Sequence, residues 1–258
     1  MGVKQLFDLT GKVAVVTGGS RGLGLQIAEA LGEMGARLAL TARKQGELDE
    51  AVAHLAKLGY EASAWACDLG KREQIAPVAE AMLAKFAKVD ILVNNAGANW
   101  AARAEDHPLE AWDKVVSLNL DGAFVLTQII AKRSMIPARW GRILNVASIN
   151  GLQATDMRLL RNVGYVATKH AIVGMTRQLA AEWGEFGITV NAICPGFFPS
   201  RMTRATLDTA GEFLRAGTPS GQLGGEEDLK GLAALLASQA GRHITGQAIA
   251  VDGGASII

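Results

Sequence analysis

Short runs of apolar and β-branched residues alternate along the chain with longer stretches in which apolar positions return every three or four residues. The short runs at 12–17, 37–42, 61–67, 90–96, 141–148, 187–194 and 246–254 predict strands. The run KVAVVT (12–17) carries no polar alternation within VAVV, which suits a strand buried on both faces. Helical spacing predicts helices at 24–36, 45–59 and 71–87, from about Leu109 to Met135, from about Tyr165 to Phe186, and near 226–238. Two of the early helices close on glycine, at Gly35 and Gly59, where a chain can turn left-handed at little cost. Strands alternating with helices of this length make parallel βαβ units, and right-handed crossovers wind them into a sheet covered on both faces. The expectation is therefore an α/β chain with a single domain over 1–258. It is a Rossmann-type, doubly wound parallel sheet of about seven strands. The stretch 197–225 is rich in Gly, Thr and Arg and too long for a simple turn. It is expected to be a loop-rich appendage that serves as a substrate lid.

Composition narrows the partners. Hydrophobic residues make up 49% of 258 positions, enough for a large core. The formal net charge of +1 points to neither nucleic acid nor an anionic membrane surface. No run of eighteen apolar residues predicts a membrane span. The opening MGVKQLFDLTGK lacks the apolar run of a signal peptide. Cys67 and Cys194 stand far apart in strand-like runs, which suits reduced thiols and a cytoplasmic location. His54, His107, His170 and His243 are scattered and form no Cys/His cluster of zinc spacing, so no metal site is expected.

The first strand leads straight into TGGSRGLG (17–24), with Gly18, Gly22 and Gly24 at the start of a helix. A tight turn needs residues without Cβ, and close backbone approach to a pyrophosphate needs the same. The following helix offers unpaired N–H groups and a positive dipole end to phosphates. This predicts a dinucleotide site. The second strand ends LTARK, with no acid before Glu47 to accept the adenosine ribose hydroxyls. Arg21 and Arg43 are placed to grip a 2′-phosphate instead, so NADP(H) is expected and NAD less so. A second feature is Tyr165, one of two tyrosines, with Lys169 one helical turn later. A phenol near pKa 10 cycles poorly at neutral pH, and a nearby ammonium lowers it.

With these residues in place, the chain resembles the short-chain dehydrogenase/reductase family. The resemblance rests on TGGSRGLG, CDL (67–69), NNAG (94–97), SLNLDG (117–122), Ser148, Tyr165-x-x-x-Lys169, CPG (194–196) and VDGG (251–254), in that order over nearly the whole chain. It implies an NAD(P)-binding fold, a homodimer or homotetramer, and interconversion of alcohols and ketones. It implies Tyr165 as proton donor to a carbonyl oxygen, with Lys169 tuning it and holding the nicotinamide ribose. Ser148 is implied to hydrogen-bond the carbonyl, and Asn119 to hold a relay water. Asp68 and Leu69 are implied to contact adenine, and Asn95, Ala96 and Gly97 to line the cofactor cleft. Ser20, Leu23, Pro195, Gly196 and Phe198 complete the implied cofactor site. A nucleotide-binding subunit without catalysis is the reading from another class, and the intact Asn119, Ser148, Tyr165 and Lys169 set stands against it.

The segment from Ser148 to Tyr165 is a few residues longer than is usual in the family and carries Arg158 and Arg161, which are expected to reshape the substrate mouth. PGFFPSRMTR (195–204) resembles a branch of 3-oxoacyl reductases. LFDLTGKVAVVTGG also resembles members acting on sugar acids, of the gluconate 5-dehydrogenase type. Arg201 and Arg204 are candidates for a substrate carboxylate or a carrier phosphate, and equally for solvated loop positions. The expected substrate is a small ketone or alcohol, carrier-bound acyl in the first reading and a sugar acid or polyol in the second.

Overall fold

A computed structural model describes residues 1–258. Seven strands form one parallel sheet: β1 (Val13–Thr17), β2 (Arg37–Ala42), β3 (Ala62–Ala66), β4 (Ile91–Asn94), β5 (Gly141–Val146), β6 (Ile188–Pro195) and β7 (Ala248–Val251). Their order is β3-β2-β1-β4-β5-β6-β7, so the chain winds outward from β1 in one direction and then in the other. All seven predicted strands are present, most of them trimmed at their ends. Every residue of β1, β4, β5 and β6 is buried, and burial on both faces is what removes polar alternation from their sequences.

Successive side chains of β1 feed opposite faces. Ala14 and Val16 join the core under α2 (Gly22–Glu33), α3 (Gln45–Lys57) and α10 (Lys230–Ala237), with Ile27, Leu31, Leu48, Leu55 and Leu236. Val13 and Val15 join the other layer, which takes Ile75 and Met82 from α4 (Arg72–Phe86), Leu126 and Ile130 from the long central helical run, and Leu179 from α8 (Val163–Trp183). A single N-terminal turn, α1 (Val3–Leu6), has no buried residue.

The central helical run spans Leu109–Ala138. It comprises α5 (Leu109–Val116), a π-helical stretch Ser117–Gly122, α6 (Ala123–Ile130), a second π-helical stretch Ala131–Met135, and α7 (Ile136–Ala138). By length and composition this run alone is long and apolar enough to cross a membrane, a feature the sequence reading passed over. Here its apolar face is core: Leu126, Ile130, Ala131 and Met135 are at most 1% exposed. Its buried polar side chains, Asn119, Thr127 and Ser134, are bonded within the protein, as Ser134 Oγ donates to the Val89 carbonyl at 2.9 Å.

The stretch 197–225 differs from the expected loop. It contains α9 (Arg204–Ala216), a 13-residue helix in which only Leu214 is buried. The ends of the stretch are pinned, since Gly224 N–H donates to the Phe197 carbonyl at 3.0 Å. The Phe198 ring is 3% exposed and packs in the core beneath Gly224, where a Cβ would come within 2.5 Å of it.

Candidate active site

Parallel strands end at a common edge, and open α/β sheets bind ligands there, where the winding reverses. In this sheet the reversal lies between β1 and β4. TGGSRGLG leaves β1, NNAG leaves β4, Ser148 follows β5, and CPG closes β6, so four neighbouring strands bring the predicted motifs to one edge.

The glycine turn is held from behind by the β4 exit. Asn95 Nδ2 donates to the carbonyls of Thr17 (2.9 Å) and Gly18 (3.2 Å). Thr17 Oγ1 accepts from the N–H groups of Asn95 (2.9 Å) and Ala96 (3.0 Å). Cβ atoms built at Gly18 and Gly24 would lie 2.8 and 2.4 Å from Asn95 Nδ2. That leaves no room for a side chain there. Gly18 and Gly22 also have φ of +62° and +54°, which L side chains rarely adopt. At Gly22 a Cβ would meet nothing within 4 Å, so the turn is tight against the protein at Gly18 and Gly24 and open at Gly22. The first turn of α2 has N–H groups without intrahelical partners. Together these make a cradle that fits a pyrophosphate. Asn95 thus supports the cradle by binding its carbonyls, and Thr17, which motif reasoning missed, ties the start of the turn to the β4 exit at Val93, Asn95 and Ala96.

At the β2 end, Arg21 does not stand free. Its Nη1 donates to Glu47 Oε1 at 2.8 Å, and Lys44 Nζ reaches the same oxygen at 3.4 Å. Glu47 lies in the first turn of α3, close enough to return to the glycine turn. Arg43 is exposed at the end of β2. Beyond β3, Asp68 Oδ1 accepts from Gly70 N–H at 3.1 Å and its own N–H donates to Gln74 Oε1 at 2.9 Å, while Leu69 is 5% exposed. Gly97 is half-buried, and a Cβ there would meet Asn119 Oδ1 at 3.4 Å.

The catalytic candidates come together beside this cradle. Ser148 is 8% exposed, and its Oγ accepts from Asn150 N–H at 3.1 Å, which leaves the hydroxyl proton to donate elsewhere. Tyr165 stands in the first turn of α8, with its phenol beside the Ser148 hydroxyl. Lys169, one turn on, is 5% exposed and donates from Nζ to the Val146 carbonyl at 2.7 Å. Its Nζ lies 5.4 Å from the Tyr165 ring centre. Asn119 sits in the first π-helical stretch and is 3% exposed. Its Oδ1 accepts from Ala98 N–H (2.8 Å), and its Nδ2 donates to the Ala98 carbonyl (3.0 Å) and to Thr168 Oγ1 (3.1 Å). Thr168 in turn donates to the Tyr165 carbonyl at 2.9 Å. Asn119 therefore ties the β4 loop to the helix that carries Tyr165. The π stretch gives it this aim, because one extra residue in a helical turn rotates the side chains that follow.

Burial decides the protonation chemistry. It lowers the Lys169 ammonium to about 8 and raises the Tyr165 phenol, against the lowering influence of the neighbouring Ser148 hydroxyl. The expected lowering of the phenol by the ammonium is therefore overridden by desolvation when only the protein's own groups act. Cys194, fully buried in β6, adjoins the set and has its thiol raised by burial, so it is neutral at pH 7.

The Phe198 ring packs in the core, so only the backbone of this residue is left to border the cofactor cleft. Pro195 is buried, and its neighbour Gly196 lies against Asp252, where a Cβ would come within 2.8 Å. Around the mouth, the segment after Ser148 meets two other loops. Ala102 N–H donates to the Arg161 carbonyl at 2.8 Å. The Arg158 guanidinium stands 4.9 Å from the Phe213 ring centre of α9 while also binding Asp156. Trp100, Leu152, Met157 and Met202 on these loops, and Phe213 on α9, are 39–66% exposed.

The sequence profile of the short chain dehydrogenase family matches residues 12–211. With that match covering most of the chain, and with this sheet and its motif-bearing edge, the protein belongs to the short-chain dehydrogenase family. It is an oxidoreductase of alcohols and ketones, as members of this class are. An NAD-dependent glycerol dehydrogenase of Listeria innocua is 38% identical, over 99% of this chain and 98% of its own. A rhamnolipids biosynthesis 3-oxoacyl-[acyl-carrier-protein] reductase of Pseudomonas aeruginosa is also 38% identical, over 96% and 97%. A crystal structure of a gluconate 5-dehydrogenase from Burkholderia cenocepacia in complex with NADP and tartrate superposes with a TM-score of 0.93 at 31% identity, covering 100% of both chains.

Proposed function

We propose that the protein interconverts a ketone and a secondary alcohol with NADP(H), and that its substrate is a 3-oxoacyl group carried as a thioester. The observation that carries the first part is the convergence of Ser148, Tyr165, Lys169 and Asn119 on the edge that also holds the glycine cradle. When bound there, the nicotinamide supplies or accepts a hydride. The chain's own residues handle the proton. Tyr165 Oη gives a proton to the carbonyl oxygen, and Ser148 Oγ donates a hydrogen bond to that oxygen. A phenol raised by burial holds its proton until an oxyanion develops. Lys169 Nζ takes over the charge balance, and with a value near 8 it gains and loses a proton within the working pH range. Asn119 holds the β4 loop and α8 in register. Its own polar atoms are engaged by Ala98 and Thr168, so it acts first as a positioning residue.

Cofactor preference follows from charge. Arg21, Arg43 and Lys44 cluster where an NAD site has a ribose-binding acid, and this supports NADP(H). The acyl substrate is supported by the exposed apolar side chains Trp100, Leu152, Met157, Met202 and Phe213 on the three segments around the mouth, with Arg158 and Arg161 beside them. The likeness to the gluconate 5-dehydrogenase favours a sugar acid as the second reading. Free thiols at Cys67 and Cys194 suit a cytoplasmic location, and exposed Leu109 and Phe124 on the central helical run suit contacts in a homodimer or homotetramer. The test is steady-state turnover of NADPH with a short 3-oxoacyl thioester beside 5-ketogluconate. A higher kcat/KM for the thioester supports the acyl reading, and a higher value for the ketogluconate replaces it.

A further inference from the structure

Arg201 belongs to the segment after β6, far along the chain from the glycine turn, and sequence alone left it either a substrate-binding or a solvated loop position. In the structure its Nη1 stands 3.9 Å from Glu47 Oε1. That oxygen is the one already held by Arg21 at 2.8 Å and Lys44 at 3.4 Å. Three cations from three separate segments therefore converge on a single carboxylate oxygen. Glu47 is half-buried, whereas Arg201 and Lys44 are well exposed. Arg21 and Lys44 outweigh the partial burial of Glu47 and hold its carboxyl below the ordinary range. One negative charge leaves the cluster with surplus positive charge, and Arg43 beside Lys44 adds to it.

We infer that Arg201 belongs to the cofactor's phosphate end, and that Glu47 occupies in the free protein the place that a 2′-phosphate takes when NADP(H) binds. This rests on the NADP(H) reading above. Exposed ion pairs are worth little in water, so the three cations exchange one anion for another without large loss. A phosphate dianion offers three oxygens and twice the charge, which satisfies three donors better than one carboxylate oxygen does. The exchange also has a structural consequence. Arg201 lies three residues before α9, so the phosphate joins the segment leading to that helix to the glycine turn and to α3. Arg201 then reports cofactor identity to the proposed lid, and it shares a cavity of about 520 Å³ with Arg204, Leu207 and Asp208.

Direct binding tests this without turnover. Titration calorimetry compares 2′,5′-ADP with 5′-ADP on the unmodified protein, Arg201→Gln and Glu47→Gln, with thermal midpoints confirming that both variants fold. Loss of one charge-assisted contact predicts about tenfold weaker 2′,5′-ADP binding by Arg201→Gln, with 5′-ADP unchanged. Removal of the competing carboxylate predicts 2′,5′-ADP binding tighter by about threefold in Glu47→Gln. If the unmodified protein binds both nucleotides equally, the NADP(H) reading itself fails, and this inference with it. If it prefers 2′,5′-ADP and Arg201→Gln keeps that preference in full, only the assignment of Arg201 is overturned. Weaker binding of both nucleotides by Glu47→Gln would show Glu47 to be a ribose ligand and would overturn its role as a stand-in.

Discussion

Lys169 offers a thermodynamic handle on the site that needs neither substrate nor cofactor. Burial lowers its ammonium from 10.5 to about 8 in the folded protein. At about 1.4 kcal/mol for each tenfold change in proton affinity, keeping it charged costs about 3 kcal/mol of stability near neutral pH. The direction follows from proton counting. Between pH 8 and 10.5 the unfolded lysine keeps its proton and the folded one has lost it. The unfolded state then binds more protons, and stability rises with pH through that window. The perturbation is Lys169→Met, which keeps the length of the side chain and removes the titration. The variant also leaves the Val146 carbonyl, now bonded at 2.7 Å, without its donor. That loss is constant with pH, so the slope separates the two effects. Urea unfolding of both proteins at pH 7.5, 8.5, 9.5 and 10.5 is the assay. The stability difference, unmodified minus variant, should grow by about 3 kcal/mol across the series. A difference that stays flat would refute the claim that burial controls this lysine.

Two further outcomes are expected. Gly24→Ala should cost about 1–3 kcal/mol and abolish NADPH binding, because its Cβ would lie 2.3 Å from the Gly18 carbonyl oxygen; near-normal fluorescence titration with NADPH would show that the cradle can yield. In hydrogen exchange, α9 should lose protection faster than α8, since only Leu214 anchors it, and should slow when NADPH and substrate are present together; slow exchange in the free protein that ligands leave unchanged would rule out the proposed lid over 197–225.

Much of this architecture is readable from apolar runs because the central strands are buried on both faces. The glycine turn, Ser148, Tyr165 and Lys169 are readable because motif order brings them to one sheet edge. Other features leave weaker marks. Helix α9 is amphipathic, but Thr206, Thr209 and Gly211 within it are weak helix formers and only Leu214 is buried. The π-helical stretches shift the helical register by a residue, which blurs the spacing around Asn119. Phe198 follows a strand's carboxyl end, and no local pattern shows whether such a ring turns to the ligand or to the core. Its partner in the core, Gly224, comes 26 residues later. The meeting of Arg21, Lys44 and Arg201 on Glu47 is a tertiary event that spacing does not encode.

Tyr165→Phe tests the central claim most directly, because it removes one hydroxyl and keeps the ring. NADPH binding and turnover of a 3-oxoacyl thioester are measured side by side for the variant and the unmodified protein. The account predicts unchanged NADPH affinity and turnover lower by about 10²–10⁴-fold, the usual contribution of a general acid. Turnover close to that of the unmodified protein would contradict it.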